Sequence, residues 1–241
     1  MVLKKNKIKI IAMIPARMGS KRIKKKNIRL IDGKPLIQYV IEKVIQCKYF
    51  DDIYINSENK IIEKIAKENK IKFYKRDKKL SNDRSTNDEF TLDFMKNIDG
   101  DILIQILPTS PLITIIEINN FVKEMVKKRL DSLISVEENK IASLYKNKPL
   151  NFSKIKKNPP SQMMNPVKSY ATVLMGWKYN TFISNMKKYK AAYHGGKSKT
   201  DYFTLKGLST IDVDNEEDFD LVTKIIISLK QKTNKTKKYL K

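Results

Sequence analysis

The stretch Ile10-Ile11-Ala12-Met13-Ile14-Pro15-Ala16-Arg17-Met18-Gly19-Ser20-Lys21-Arg22-Ile23-Lys24-Lys25-Lys26-Asn27 decides the fold. Its first half is an uninterrupted apolar run, as expected of a strand buried on both faces of a parallel sheet. Its second half turns into a loop holding a glycine, a serine and six cationic side chains. A buried strand that opens at its carboxyl end into a cation-rich loop is where an open α/β sheet receives an anionic ligand. Gly19 allows backbone to approach a phosphate closely, and Arg17, Lys21 and Lys26 can neutralise polyphosphate charge. The glycine-rich signatures of P-loop and dinucleotide folds are absent.

A second stretch answers the first in charge: Thr210-Ile211-Asp212-Val213-Asp214-Asn215-Glu216-Glu217-Asp218-Phe219. Read as a strand, residues two apart share a face, so Asp212 and Asp214 point together while Ile211 and Val213 face the other way. Two carboxylates on one face repel each other, and a hard divalent cation relieves that repulsion. Mg²⁺ accepts one or two carboxylates, waters and substrate phosphates. Asn215 suits the N-cap of a final helix, with Glu216, Glu217 and Asp218 at its positive end.

Between these stretches the periodicity alternates. Pro35 fits a first helical position, and Leu36, Ile37, Val40, Ile41, Val44 and Ile45 recur at helical spacing. Asp52 to Asn56 reads as a strand, Ser57 as the N-cap of a helix reaching Asn69, and Ile71 to Tyr74 as a third strand. A β-α-β-α-β order with short connections predicts an α/β fold with a doubly wound, mostly parallel sheet. Arg76 to Asp88 is a polar loop at a strand's carboxyl end. A helix over Glu89–Asn97 leads to a strand over Ile102–Leu107 and then to Pro108-Thr109-Ser110-Pro111-Leu112. Its prolines fix a rigid turn that sets the Thr109 and Ser110 hydroxyls at the sheet edge. Thr114 and Glu117 form a capping box opening a helix through Arg129. After a strand at Ser132–Val136, prolines break the chain into short polar pieces. Residues 137–168 are therefore expected to be an excursion, either a dimerisation arm or a lid. A strand at Tyr170–Trp177 and a helix ending near Leu229 complete a single domain over 1–230. The basic tail 231–241 lacks an apolar face and is expected to be disordered.

The chain has 241 residues, 41% hydrophobic and 32% charged, which is ordinary for a soluble domain. The single Cys47 excludes an internal disulfide and a cysteine metal cluster. No apolar run reaches the roughly 18 residues of a membrane span, and the basic Met1–Lys9 segment precedes a run too short for a secretion signal. A cytoplasmic protein is expected. The net charge of +24 raises nucleic-acid binding as a distant alternative. The lysines are spread over nearly every segment, however, as a solvated face requires, and no single element concentrates them.

I-P-A-R-x-G-S-K-R-I-x-x-K-N resembles the opening motif of the acylneuraminate cytidylyltransferases, which activate sialic acids and related sugar acids as CMP esters. The resemblance extends to R-x-x-x-L-S-x-D at Arg76–Asp83, to P-T-S-P-L at 108–112 and to I-D-V-D-x-x-x-D-F at 211–219. It implies a Rossmann-like nucleotidyltransferase. CTP would be bound by Ala16, Arg17, Gly19, Ser20, Lys21, Lys26, Asn27, Arg76 and Asn82, and Mg²⁺ by Asp212 and Asp214. Arg17, Lys21 and Asp214 would be catalytic. It also implies a homodimer built by the excursion, and transfer of CMP to the anomeric hydroxyl of a sialic-acid-like 2-keto-3-deoxy sugar acid. Thr109, Ser110 and Thr172 are the polar residues at the expected sugar positions. The family's Gln before P-T-S-P-L is Leu107 here, and its Asn-Gly pair is absent from Tyr170–Trp177. These departures leave the acceptor open, with a 3-deoxy-octulosonate or its 8-amino relative as the alternative.

Overall fold

The apolar run at the start becomes the central strand, β1 (Ile10–Pro15), because it can be covered twice. Ile10, Ala12 and Ile14 pack into a core on one face of the sheet, while Ile11 and Met13 pack into a second core on the other. This computed structural model describes residues 7–231, so the expected tail lies outside them apart from Gln231.

Six further strands join β1: β2 (Asp52–Ser57), β3 (Lys72–Lys75), β4 (Ile102–Ile106), β5 (Ser132–Asn139), β6 (Val167–Lys178) and β7 (Thr200–Leu205). They form one seven-stranded sheet in the order β7-β5-β6-β4-β1-β2-β3. β1 pairs in parallel with β2 and β4, β3 with β2, and β7 with β5. β6 runs antiparallel to both neighbours because the chain returns from the excursion beside β5, so the sheet is mostly parallel, as expected.

The helices α1 (Leu36–Ile45), α2 (Lys60–Glu68) and α4 (Ile115–Lys127) bury Ile41, Ile62 and Phe121 against one face. α3 (Asn87–Asn97) and α5 (Tyr179–Tyr189) bury Phe94 and Phe182 against the other. Several helix starts differ from the sequence reading. α2 is capped by Asn59, whose side chain accepts from the Ile61 N–H, while Ser57 is fully buried at the end of β2. α3 opens at Asn87 through a Thr86–Glu89 capping box, and Pro35 is an N-cap residue. The Thr114–Glu117 box is present as read.

β5 and β6 continue beyond the sheet core as a two-stranded ribbon, with Glu138 opposite Lys168 and Asn139 opposite Val167. The ribbon carries the excursion, which folds back on a short hairpin of Leu144–Tyr145 with Lys148–Pro149.

The acidic stretch differs from its sequence reading. Ile211 to Asp214 is not a strand but an extended connection between a 3-10 turn at Gly207–Thr210 and α6 (Glu216–Lys230). It is tied to the P-T-S-P-L turn by Val213, whose N–H donates to the Thr109 carbonyl at 2.8 Å. Val213, Phe219, Val222 and Ile226 form a third small core with Ile23 of the basic loop. Asn215 caps α6 in a capping box with Asp218.

Trp177 on β6 is 1% exposed, stacks edge-on against Phe182 and donates to the Tyr193 carbonyl at 3.1 Å. Trp177→Ala is expected to lower the unfolding free energy by about 3–5 kcal/mol. Denaturant titration checks this, and a loss near zero would contradict that packing.

Candidate active site

At the carboxyl ends of β1 and β4, the basic loop, the P-T-S-P-L turn and the acidic connection enclose a cavity of about 500 Å³. Arg17, Ser20, Lys21, Lys26 and Asn27 line one side, and Thr109, Asp212 and Asp214 line another. Residues almost two hundred positions apart thus face one space large enough for a nucleotide. The third core holds them there. Ile23 and Val213 are both fully buried in it, so the loop and the acidic connection are anchored from behind.

The charges are interlocked. Lys26 is the deepest of the site's cations, its side chain 11% exposed, and it donates to the Val213 carbonyl and reaches Asp214 at 3.3 Å. Arg22, which the sequence reading left out of the site, pairs with Asp214 at 2.9 Å. Asp83 takes two cations at once, Arg17 at 2.8 Å and Lys21 at 2.6 Å. Lys21 remains 80% exposed, so its pair is a solvated one and contributes little to stability. Each of the two carboxylates therefore occupies a place that a phosphate group could take. Asn27 fixes the loop by donating to the Arg17 carbonyl at 3.0 Å.

Asp212 sits apart from this exchange. One of its carboxylate oxygens is fully buried without a hydrogen-bond partner among the described residues. Burial holds its pKa above the ordinary value, opposed by the Thr109 hydroxyl and reinforced by the charge of Asp214. An orphaned carboxylate oxygen beside a second carboxylate is a donor set suited to a hard divalent cation. Behind the turn, Lys43 of α1 donates to the Pro111 carbonyl, and burial pushes its amine down to about 8.

Several residues read as site residues lie outside the cavity. Ala16 is fully buried, with its N–H bound to the Asn56 carbonyl. Gly19 packs near the Ser81 carbonyl without a left-handed backbone, so nothing in its local conformation demands glycine. Arg76 is 3% exposed, held by Asn56 and stacked 4.1 Å over the Phe90 ring. Asn82 serves its own loop, accepting from the Arg84 and Ser85 N–H groups. Ser110 is fully buried beneath its turn. Thr172 points its hydroxyl at the Ala171 carbonyl from a left-handed backbone with φ 51°, a rare place for a β-branched residue. On the ribbon, Lys168 pairs with Glu138. Lys199 lies at the opposite end of the sheet, beside the start of β5.

The comparisons with known proteins bear on this geometry. A family model described as Cytidylyltransferase matches residues 11–190. The chain belongs to the cytidylyltransferase family. It is 27% identical over 248 residues to the N-acylneuraminate cytidylyltransferase of Escherichia coli O18:K1:H7, a match covering 95% of this chain and 54% of that protein. It is 43% identical over 77 residues to the pseudaminic acid cytidylyltransferase of Campylobacter jejuni, covering 32% of this chain and 33% of that one. The chain spans about half the length of the first of these relatives. Its fold is similar to that of CMP:2-keto-3-deoxy-manno-octonic acid synthetase complexed with CTP, with a TM-score of 0.68, 16% identity, and coverage of 92% of this chain and 99% of that one. Among the described residues no helix is long and apolar enough to cross a membrane.

The buried carboxylate gives a signed expectation. Because the folded pKa of Asp212 lies above its unfolded value, ionisation opposes folding: the penalty is absent below the ordinary 3.8 and complete above the folded value. Asp212→Asn should therefore raise the melting temperature at neutral pH and add nothing below 3.8. A lowered melting temperature at neutral pH would contradict the burial penalty.

Proposed function

We propose that this cytidylyltransferase transfers CMP from CTP to the anomeric hydroxyl of a sialic-acid-like 2-keto-3-deoxy sugar acid, releasing pyrophosphate. The observation that carries the reading is the shared cavity: cations of the basic loop and carboxylates of the acidic connection line one space and already pair across it. Family membership and the nonulosonate-type relatives support CTP and an acidic sugar as the substrates.

In this reading the anomeric hydroxyl gives up its proton to water as its oxygen attacks the α-phosphorus, the bond from the α-phosphorus to the oxygen bridging to the β-phosphate breaks, and pyrophosphate departs with the developing negative charge. Arg17, Lys21 and Lys26 exchange their carboxylate partners for phosphate oxygens and stabilise that charge, so catalysis is positioning and electrostatics. Ser20, Asn27 and Thr109 line the same cavity, and in this reading the first two serve the nucleotide and Thr109 the acceptor. Asp212 and Asp214 would hold a divalent cation, Mg²⁺ by the hardness of their oxygens. The bound cation would supply charge neutralisation on the phosphates. The apolar side chain of Leu107 lines the same cavity. Leu107 stands where the resemblance implies a Gln, which favours a 3-deoxy-octulosonate as the second reading.

The excursion supports a homodimer. It leaves Ile141, Leu144, Tyr145, Leu150, Met163 and Ile155, the last 90% exposed, without cover in one chain. Light scattering is expected to give a mass of two chains, and a monomer at micromolar concentration would exclude the arm's proposed role.

Pyrophosphate release from CTP and Mg²⁺ is expected with one class of a sugar-acid panel: sialic acid, a pseudaminic-type nonulosonate, or a 3-deoxy-octulosonate. Indifference to CTP together with salt-dependent retention on DNA would favour the nucleic-acid alternative. Asp214→Asn should lower kcat by about 10²-fold, on the order of 3 kcal/mol. Lys21→Ala should weaken CTP binding in calorimetry with the fold intact. Full turnover in the first variant, or unchanged affinity in the second, would remove those residues from their roles.

A further inference from the structure

We infer that Lys43 of α1 is a positioning residue: by bracing the P-T-S-P-L turn from behind, it holds the acidic connection, and with it Asp212, against the cavity. This deepens the CMP-transfer reading and rests on it.

The turn cannot brace itself. Pro108 and Pro111 have no N–H to donate. The two bonds inside the turn are long, Ser110 N–H to the Leu107 carbonyl at 3.4 Å and Ile113 N–H to the Ser110 carbonyl at 3.3 Å. Pro111 is buried, so its carbonyl needs a partner from the protein. Lys43 lies between the core positions Val40 and Val44 of α1 and sends its ammonium to that carbonyl.

The braced segment carries the acidic connection at two points. On one side of Asp212, the Val213 N–H donates to the Thr109 carbonyl at 2.8 Å. On the other side Ser209, which is buried, donates its hydroxyl to Glu117 Oε2 at 2.7 Å. That same oxygen accepts the Thr114 N–H at 2.9 Å at the start of α4. Asp212 is therefore slung between two ties, and both end within residues 109–117. Lys43 addresses both ends: it bonds to Pro111, and Glu117 is the foremost of the charges that attract its amine.

A lysine is a costly way to satisfy one carbonyl. Burial pushes its pKa from 10.5 down to about 8, opposed by Glu117 and Glu42 and reinforced by Lys34. Keeping the amine charged therefore opposes folding, with a penalty complete below the folded value and gone above 10.5. Methionine in its place would remove that penalty and leave the Pro111 carbonyl unpaired, two effects of opposite sign on stability. What methionine cannot supply is the donor to the turn together with the attraction to Glu117. Without them the turn and the connection can shift against α1, and a misplacement of about 1 Å can reduce turnover about 10²-fold.

The test uses Lys43→Met, with Lys43→Gln in its place should that variant fail to fold. Two readouts are followed: hydrogen exchange of the ligand-free protein and CTP kinetics with Mg²⁺. Amides of residues 209–213 should exchange about three- to ten-fold faster than in the wild type, as loss of one net hydrogen bond implies, while β1 keeps its protection. Turnover should fall about ten- to a hundred-fold in kcat with little change in KM for CTP, because the loop cations stay in place. Wild-type exchange over 209–213 would overturn the inference. So would faster exchange spread evenly over the chain, which is plain destabilisation, or a loss confined to KM. The exchange readout needs no turnover. A wild-type enzyme that releases no pyrophosphate would therefore defeat the transfer reading, while exchange would still decide whether Lys43 holds the connection.

Discussion

Ile23 and Val213 are fully excluded from solvent in the same small cluster, packed with Phe219 and Val222 of α6. That contact sets the geometry of everything above it. The basic loop would be a solvated turn, and the acidic connection an unpaired strip, if each were held only by its neighbours in sequence. Burying one apolar side chain from each, at about 25 cal/mol per Å² of apolar area removed from water, fixes their separation without using any polar group that a ligand would need. The polar groups are then free to face the cavity. Val213 adds a directed tie, its N–H on Thr109 and its carbonyl on Lys26, so the P-T-S-P-L turn, the loop and the connection move as one piece.

Charge complements this packing. Asp83 and Asp214 each bridge two cations, which keeps a strongly basic loop folded while no polyanion is bound. Apart from Lys26 with Asp214, these pairs are solvated and exchangeable, so they impose little barrier to a triphosphate. The contrast is with Asp212, whose buried oxygen has no protein partner among the described residues. The site therefore combines charges that are satisfied and replaceable with one that is unsatisfied and fixed, an arrangement suited to binding a metal and its polyphosphate together.

Much of this was legible in the chain. Two-sided burial of β1 follows from an unbroken apolar run, and the order of strands and helices as far as β6 follows from periodicity, with a mostly parallel sheet as the result, whereas α5 and β7 escaped that reading. Spacing alone also specified the Thr114–Glu117 box and the Asn215 cap. What escaped depends on contacts between distant segments. Asp212 and Asp214 alternate like strand residues, yet no neighbouring strand is available there, so the segment stays extended outside the sheet. The direction of β6 depends on how the excursion returns, which no local pattern encodes. Arg76 reads as a loop cation until Asn56 and Phe90 are seen to enclose it. Arg22 and Asp83 were visible as charges, but their membership of the cavity became clear only once their partners were in place.

The central claim is that the loop cations and the aspartate pair hold one triphosphate between them. A crystal structure with CTP and Mg²⁺ tests it most directly. The paired site predicts phosphate oxygens within hydrogen-bond reach of Lys21 and Lys26 and a cation on Asp212 and Asp214. A nucleotide seated elsewhere, with Asp83 and Asp214 still bound to their cations, would contradict it.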